Sequence, residues 1–252
     1  MNSRKNNRQK SRTFFALLAA IFLLLIALVA AARSYPKGDY SAIRVDGHQV
    51  HLVKIDLRRK NVVIRPIVAA APGGQDFQRI INKRKLRAAI NGGYFDASFK
   101  PLGDIVADGK MLARGSQRSA IAVTKSGKVE FRRRIGGSAF NWTGCSAGLA
   151  AGPMLLRNGK SAVNPEQEGF RASSRKIRAS RSAIGLTANN ELLMVVVLEY
   201  ITLDEMAGIM LKLGAVDAMN LDGGSSCALY GDGKIIIRPY SLLSNLLLVE
   251  EK

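Results

Sequence analysis

Ala218-Met-Asn-Leu-Asp-Gly-Gly-Ser-Ser-Cys-Ala-Leu-Tyr230 reads as a short apolar strand running into a turn that carries one carboxylate, Asp222. Gly223 and Gly224 have no Cβ, so the chain can take positive φ there and a bound group can approach the backbone closely. An acid, free amides and the hydroxyls of Ser225 and Ser226 then share one rim, as a site for a polar ligand requires. The plain alternative is a tight turn, since Asp-Gly is a common hairpin signal. A second copy of the device weighs against it. Ala88-Ala-Ile-Asn-Gly-Gly-Tyr-Phe-Asp96 is also a small apolar strand, ending in Asn91 and the pair Gly92 and Gly93.

Around these two stretches, composition narrows the function classes. The chain has 252 residues, 47% of them hydrophobic, enough for one sizeable core or two small ones. Its net charge of +19 points to an anionic partner or surface. Cys145 and Cys227 are the only cysteines, which excludes a disulfide scaffold and a cysteine-based zinc module. They could pair in an oxidising compartment or stand as two buried thiols. His48 and His51 are the only histidines, which argues against a His-rich metal site or a histidine-dependent triad; both read as surface residues of a strand.

The N-terminus reads as a membrane element. Residues 1–12 carry Arg4, Lys5, Arg8, Lys10 and Arg12 with no acid, and Thr13 to Ala32 is almost wholly apolar up to Arg33. A helix of that length spans a bilayer core of about 30 Å, and the positive flank stays inside. A cleaved signal peptide, with Ala30-Ala31-Ala32 as its small-residue site, is the competitor; the length favours an anchor. The expected organisation is a basic cytoplasmic tail over 1–12, a transmembrane anchor or signal segment over 13–32, a linker over 33–40 and a working domain over 41–252. That domain lies on the extracytoplasmic side, where it meets anionic lipids, cell-wall polymers or acidic polysaccharide. No nucleic-acid partner is expected there.

Within the domain, Asp46-Gly47, Asp108-Gly109, Ser126-Gly127, Asn158-Gly159, Asn189-Asn190 and Asp232-Gly233 divide period-two runs into hairpins. Pro66 puts the strand Val62–Val68 at an edge or a bulge. Two helices stand out. Asp76 to Leu86 has Asp76 as its cap and Phe77, Ile80 and Ile81 on one face. Thr202 to Leu213 opens on a capping box of Thr202 and Glu205 and stops at Gly214. The expected fold is α+β, a single strand-rich domain with few helices, preceded by one N-terminal transmembrane helix. Residues 161–180 lose hydrophobic periodicity, and Arg171, Arg175, Lys176, Arg178 and Arg181 fall there and just beyond without an intervening acid. That run reads as a solvated loop or a polyanion-binding one. Arg181 stands apart, because it opens the strand Ser182–Thr187, where an arginine can present a fixed fork to an anion.

Four blocks occur in order: Asn91-Gly-Gly-Tyr-Phe-Asp96, Gly152-Pro-Met-Leu-Leu-Arg-Asn-Gly159, Arg181-Ser-Ala-Ile-Gly185, and Leu203–Asp222 running into Gly-Gly-Ser-Ser. Through them the chain from about Ala88 to Val249 resembles the phosphodiester glycosidase family. The resemblance implies hydrolysis of a sugar-1-phosphodiester at the glycosidic bond, and bacterial members are linked by name to exopolysaccharide metabolism. On that reading Asp222 is the first choice for the carboxylate that assists an oxocarbenium-like transition state. Arg181 clamps the phosphate, Asn91 hydrogen-bonds the sugar or phosphate, and Ser225 donates a hydroxyl. Gly92, Gly93, Gly223 and Gly224 let substrate approach the backbone. For a second carboxylate the candidates are Asp96, Asp104 and Glu199, in that order; a single carboxylate also suffices, because phosphate leaves without much protonation. Ser182 keeps a hydroxyl where the family commonly has threonine, and Glu199-Tyr200 stands where it usually has Asp-Gly. No cofactor is expected, and the spacing of Asp222 and Asp96 is not diagnostic of a metal. The expected partners are a carbohydrate or glycosyl-phosphate substrate and, through residues 13–32, the membrane. A non-catalytic protein that binds or assembles anionic polysaccharide on the same fold is the alternative.

Overall fold

Asp46-Gly47, Asp108-Gly109, Asn158-Gly159 and Asp232-Gly233 each take positive φ at both residues. That backbone twist matches the twist of paired strands and closes a two-residue hairpin. The computed structural model describes residues 39–251, apart from Lys60, Ala71, Pro72, Lys83, Arg84 and Ile135. The expected cytoplasmic tail, the apolar segment 13–32 and nearly all of the linker lie outside the described residues. Among those residues no helix is long and apolar enough to cross a membrane.

The first hairpin pairs β1 (Tyr40–Val45) with β2 (His48–Asp56), so the strand begins inside the stretch expected as linker. Then come β3 (Val62–Val68), a short helix α1 (Phe77–Ile81) and β4 (Leu86–Asn91). The middle of the chain supplies β5 (Ile105–Ala107), β6 (Lys110–Ala113), β7 (Ser119–Thr124), β8 (Val129–Arg133) and β9 (Cys145–Ala151). β10 (Met154–Arg157), β11 (Lys160–Ser161), β12 (Ala179–Thr187) and β13 (Glu191–Ile201) lead to helix α2 (Leu203–Lys212). The chain closes with β14 (Ala215–Asn220), β15 (Leu229–Gly231), β16 (Lys234–Ile237) and β17 (Asn245–Glu251).

These strands form three sheets, ordered β1-β2-β13-β12-β14-β10-β11, β16-β15-β4-β17-β3 and β6-β5-β9-β7-β8. β3, which carries Pro66, lies at a sheet edge as expected. All three sheets turn one face to a common apolar core, which includes Val53, Ile90, Ile121, Met194, Met219 and Leu247. α2 covers the outer face of the seven-stranded sheet, where Leu203, Met206 and Met210 meet Val195 and Val197. α1 does the same for the sheet of β4 and β17, through Phe77, Ile80 and Ile81. This double covering explains why Leu192–Val197 reads as an unbroken apolar run, with alternate residues facing the two cores. Gly185 allows the helix to come close, since a Cβ there would sit 2.6 Å from Met210 Cε.

The segment 161–180 differs from the loop expected of it. Glu166–Glu168 and Ala172–Arg175 form two 3-10 turns. Arg175 makes two hydrogen bonds to Asp204, and Arg178 reaches Glu205 at 3.0 Å. The acids missing from the run Arg171–Arg181 come from the first turn of α2, so two of its cations are paired. Their carboxylates also suit the positive end of the helix. Glu205 completes the capping box with Thr202, and the Thr202 amide and hydroxyl bonds hold its carboxyl down at about 2.

Thr202→Ala removes half of that box. A loss of about 1 kcal/mol is expected, read as a fall of about 2–4 °C in Tm for a domain of this size. Thermal unfolding followed by circular dichroism measures it.

Candidate active site

The two Gly-Gly stretches meet. β4 runs into Asn91-Gly92-Gly93 and β14 into Leu221-Asp222-Gly223, and the turns are joined by hydrogen bonds between residues far apart in sequence. Asn91 Nδ2 donates to the Asp222 carbonyl at 2.7 Å, while Asn91 Oδ1 accepts the Ala228 N–H at 3.1 Å. The Asp222 N–H donates to Gly92 O at 3.1 Å. Asn245, at the start of β17, clasps Gly93 on both sides, accepting its N–H at 2.7 Å and donating to its carbonyl at 3.1 Å. Asn91 is only 1% exposed. Its amide braces protein against protein, whereas the sequence suggested that it reaches sugar or phosphate.

The same geometry reassigns three of the glycines. A Cβ on Gly92 would run into Asn245 Oδ1, one on Gly93 would lie 2.8 Å from Ala150 O, and one on Gly223 would lie 2.5 Å from Ser180 O. These positions are glycine because the protein's own backbone and side chains come close. Gly224 alone of the four has φ +60 and open space around its missing Cβ.

Beside the joined turns lies a group of ionisable side chains. Burial raises the carboxyl of Asp222, and hydrogen bonds from the Ser226 hydroxyl and the Gly223 N–H pull it part of the way back. The Gly223 bond to Oδ1 is 2.9 Å. The Tyr94 hydroxyl donates to Gly152 O at 2.7 Å and accepts from Asn220 Nδ2 at 2.9 Å. Burial makes this phenol a weaker acid, the charge of Asp222 adds to that, and it also feels Arg181 and Glu168. Asp222, Arg181 and Glu168 are thus all within electrostatic reach of the Tyr94 hydroxyl. Asn220 Oδ1 is buried without a partner, a costly arrangement that calls for an explanation in function.

Arg181 is 9% exposed. Its Nε donates to Ile201 O at 3.2 Å and its Nη2 to Ile177 O at 2.5 Å. Burial lowers its pKa, but a guanidinium remains charged at neutral pH. Carbonyls orient the fork without cancelling its charge, and among the described residues Arg181 forms no ion pair. An uncompensated buried cation of this kind fits an anion.

Glu168 was not anticipated from sequence. It sits in the 3-10 turn of a stretch without periodicity, and nothing local marks it. It is 3% exposed, accepting the Ser119 hydroxyl at 2.5 Å and the Met154 N–H at 2.9 Å. Burial raises its pKa, against the pull of those two bonds. A Cβ on Gly152 would lie 2.9 Å from its Oε2, so the Gly152-Pro153 pair is part of its setting.

The other sequence candidates have hydrogen-bond partners of their own. Asp96 is exposed and closes its own turn, accepting from Ser98 N, Ser98 Oγ and Lys100 N. Asp104 is buried, holding the Gly115 N–H and the Trp142 indole at 2.9 and 2.8 Å. Glu199 accepts from His48 at 2.6 Å and from the Gln49 N–H, which lowers its pKa. Each of the three thus has a structural task. Ser225 is exposed beside Gly224, and its carbonyl takes the Tyr240 N–H at 2.8 Å. Ser182 is buried next to Cys227. Cys145 and Cys227 are free, buried thiols. Among the described residues no three His, Cys, Asp or Glu side chains are grouped to hold a metal ion.

The model of the phosphodiester glycosidase family matches residues 84–249. Three solved structures share the fold. A hypothetical protein from Synechocystis has a TM-score of 0.74 at 21% identity, over 85% of this chain and 62% of its own length. The chain thus spans less than two thirds of that protein. The catalytic domain of zebrafish N-acetylglucosamine-1-phosphodiester α-N-acetylglucosaminidase, auto-inhibited by its pro-peptide, has a TM-score of 0.68 at 20% identity, covering 87% of this chain and 85% of that one. A Burkholderia pseudomallei protein described as exported gives 0.60 at 12% identity, over 86% and 75%. At such identities the likeness is one of fold. No curated protein sequence matches the chain.

The raised pKa of Glu168 carries a pH signature. The folded state holds this proton more tightly than the unfolded chain, so the stability it contributes is present below 4.5 and is lost as pH rises through the raised value. Glu168→Gln is expected to flatten that part of the profile. Glu168→Ala strands the Ser119 hydroxyl and the Met154 N–H and costs about 1–3 kcal/mol. Urea unfolding across the acid-to-neutral range distinguishes the two.

Proposed function

The chain belongs to the phosphodiester glycosidase family, and from that premise we propose that it hydrolyses a glycosyl phosphodiester, releasing the free sugar, outside the cytoplasm. The basic residues 1–12 and the apolar run to Ala32 support tethering of the domain to the membrane from the far side. The name of the zebrafish structure supports a sugar-1-phosphodiester as the substrate class, and N-acetylglucosamine-1-phosphodiesters are the natural first assay. The observation that carries the proposal is Arg181, a buried guanidinium held by two carbonyls and, among the described residues, paired with no acid.

In this reading Arg181 takes the phosphodiester and neutralises the charge that gathers on it as the bond to the anomeric carbon breaks. The bonding electrons leave with the phosphate. Asp222 stabilises positive charge at the anomeric carbon and accepts the proton of the water that completes hydrolysis. Gly224 and Ser225, at the open end of the turn, receive the substrate. One carboxylate is enough, because a neutralised phosphate is a good leaving group. Glu168 has both oxygens committed to Ser119 and Met154 and contributes by holding the wall behind Tyr94.

Asp222→Asn is expected to lower kcat by about 10²–10⁴-fold with folding intact. Arg181→Lys keeps the charge but loses the fork, with a loss of about tenfold or more in kcat/KM. Release of sugar from glycosyl-1-phosphodiesters by the full-length protein measures both. Equal release by native protein and Asp222→Asn would remove Asp222 from the chemistry, and no release from any such diester would overturn the activity.

The pH dependence gives an independent check. Because Asp222 acts as a base and burial raises it above 3.8, activity rises with pH through that raised value. Ser226→Ala deletes a hydrogen bond to the carboxylate, so the acid limb of kcat/KM is expected to move to higher pH. A shift to lower pH, or none, would count against Asp222 as the titrating base.

A further inference from the structure

β8 and residues 138–141 beyond it wall a cleft of about 960 Å³, at the upper end of the size range of ligand pockets. Five cations line it, Lys128, Arg132, Arg133, Arg134 and Arg157, against two acids, Glu130 and Asp217. Asp222 and Arg181 are not among its lining residues.

Backbone carbonyls hold Arg132, Arg134 and Arg157, and the two acids leave the five cations in excess. Arg134 donates to three carbonyls, those of Ser138 at 2.5 Å, Gln117 at 3.1 Å and Gly115 at 3.4 Å, and lies over the Phe140 ring. Arg157 donates to Phe131 O at 2.6 Å, with Asp217 only at 3.7 Å. Arg132 is anchored on Asn141 O at 2.8 Å and shares Glu130 with Lys128. Arg133 is exposed and, among the described residues, makes no side-chain hydrogen bond or ion pair. A solvated charged face would leave these long side chains free. Here carbonyls hold most of the forks in one arrangement, so less rotamer entropy remains to be lost when an anion arrives.

We propose that this cleft binds an acidic polysaccharide chain, one that carries a carboxylate or a phosphate on its repeating unit. The choice over single-stranded nucleic acid rests on the rings. Sequence-tolerant binding of single strands uses exposed aromatics on which bases stack. In this cleft Phe131 is buried at 3%, and Phe140 is engaged by Arg134 on its face and by Trp142 at 5.3 Å. What remains on offer is charge with a fixed geometry. The proposal stands apart from the hydrolytic reading of Asp222 and Arg181, since it needs none of those residues.

Affinity electrophoresis of the full-length protein through gels containing polygalacturonate, a phosphorylated mannan or neutral dextran tests it. Retardation by at least one of the acidic polymers but not by dextran is expected, and the two acidic polymers separate carboxylate from phosphate. Arg133→Glu, at an exposed side chain with no hydrogen bond or ion pair among the described residues, is expected to weaken retardation roughly tenfold, while Arg133→Lys and Asp222→Asn keep it. Unchanged retardation of Arg133→Glu would overturn the site. So would equal loss in Asp222→Asn, which would put the polymer in the Asp222 site. Tighter binding of single-stranded or duplex nucleic acid at the same salt, or no retardation by either acidic polymer, would overturn the ligand.

Discussion

The carboxamide of Asn91 is the constraint on which the site depends. It is buried, it gives a hydrogen bond to the Asp222 carbonyl, and it takes one from the Ala228 amide. Those partners are 131 and 137 residues away in sequence, so one side chain ties a strand end of one sheet to the turn that leaves another. Asn245 repeats the device on Gly93 from the next strand. A buried amide satisfied on both sides is worth more as a specifier than as a source of energy. Any shift of one turn against the other would strand donors and acceptors in a dry interior, and that penalty exceeds the net value of a hydrogen bond. The position of the Asp222 carboxylate is thereby inherited from the sheets.

The hairpins were legible in the sequence because their turns are chemically explicit. Asp-Gly and Asn-Gly state positive φ at two successive residues, and the structure has it at each of those four turns. α2 was legible for the same reason, since Thr202 and Glu205 announce its start and Gly214 its end. Doubly buried strands such as β13 show as apolar runs, yet which two layers cover them is a tertiary fact that no run of Leu and Val contains. Sheet order across β4, β17 and β14 was equally hidden.

At the site, sequence pointed to two stretches that the fold joins, and it left hidden what several of their atoms touch. A Gly-Gly pair says that something comes close to the backbone; it does not say what. At Gly92, Gly93 and Gly223 the visitor is the protein itself. An asparagine before two glycines has the donors a ligand would want, and only the partner turn reveals that they are already engaged. Glu168 was invisible because its burial is made by the return of a 3-10 turn onto Ser119 and Met154. Arg171 to Arg178 looked free of acids because the acids, Asp204 and Glu205, lie some thirty residues on.

The electrostatic pattern follows from this division of labour. Much of the positive surface is arranged in pairs with carboxylates, as at Arg58, Arg87, Arg175 and Arg178. Pairs of that kind, where exposed, add little stability. The interior treats charge differently. Burial favours the neutral forms of Glu168 and Asp222, whereas Arg181 stays charged because a guanidinium cannot give up its proton near neutral pH. Among the described residues this buried cation has no ion pair, and carbonyl dipoles offset only part of its desolvation. Such a centre is tolerable in a domain whose three sheets and two helices hold it rigidly. It becomes favourable when a bound anion supplies the missing charge, and the proposed phosphodiester substrate would supply it together with the bond to be broken.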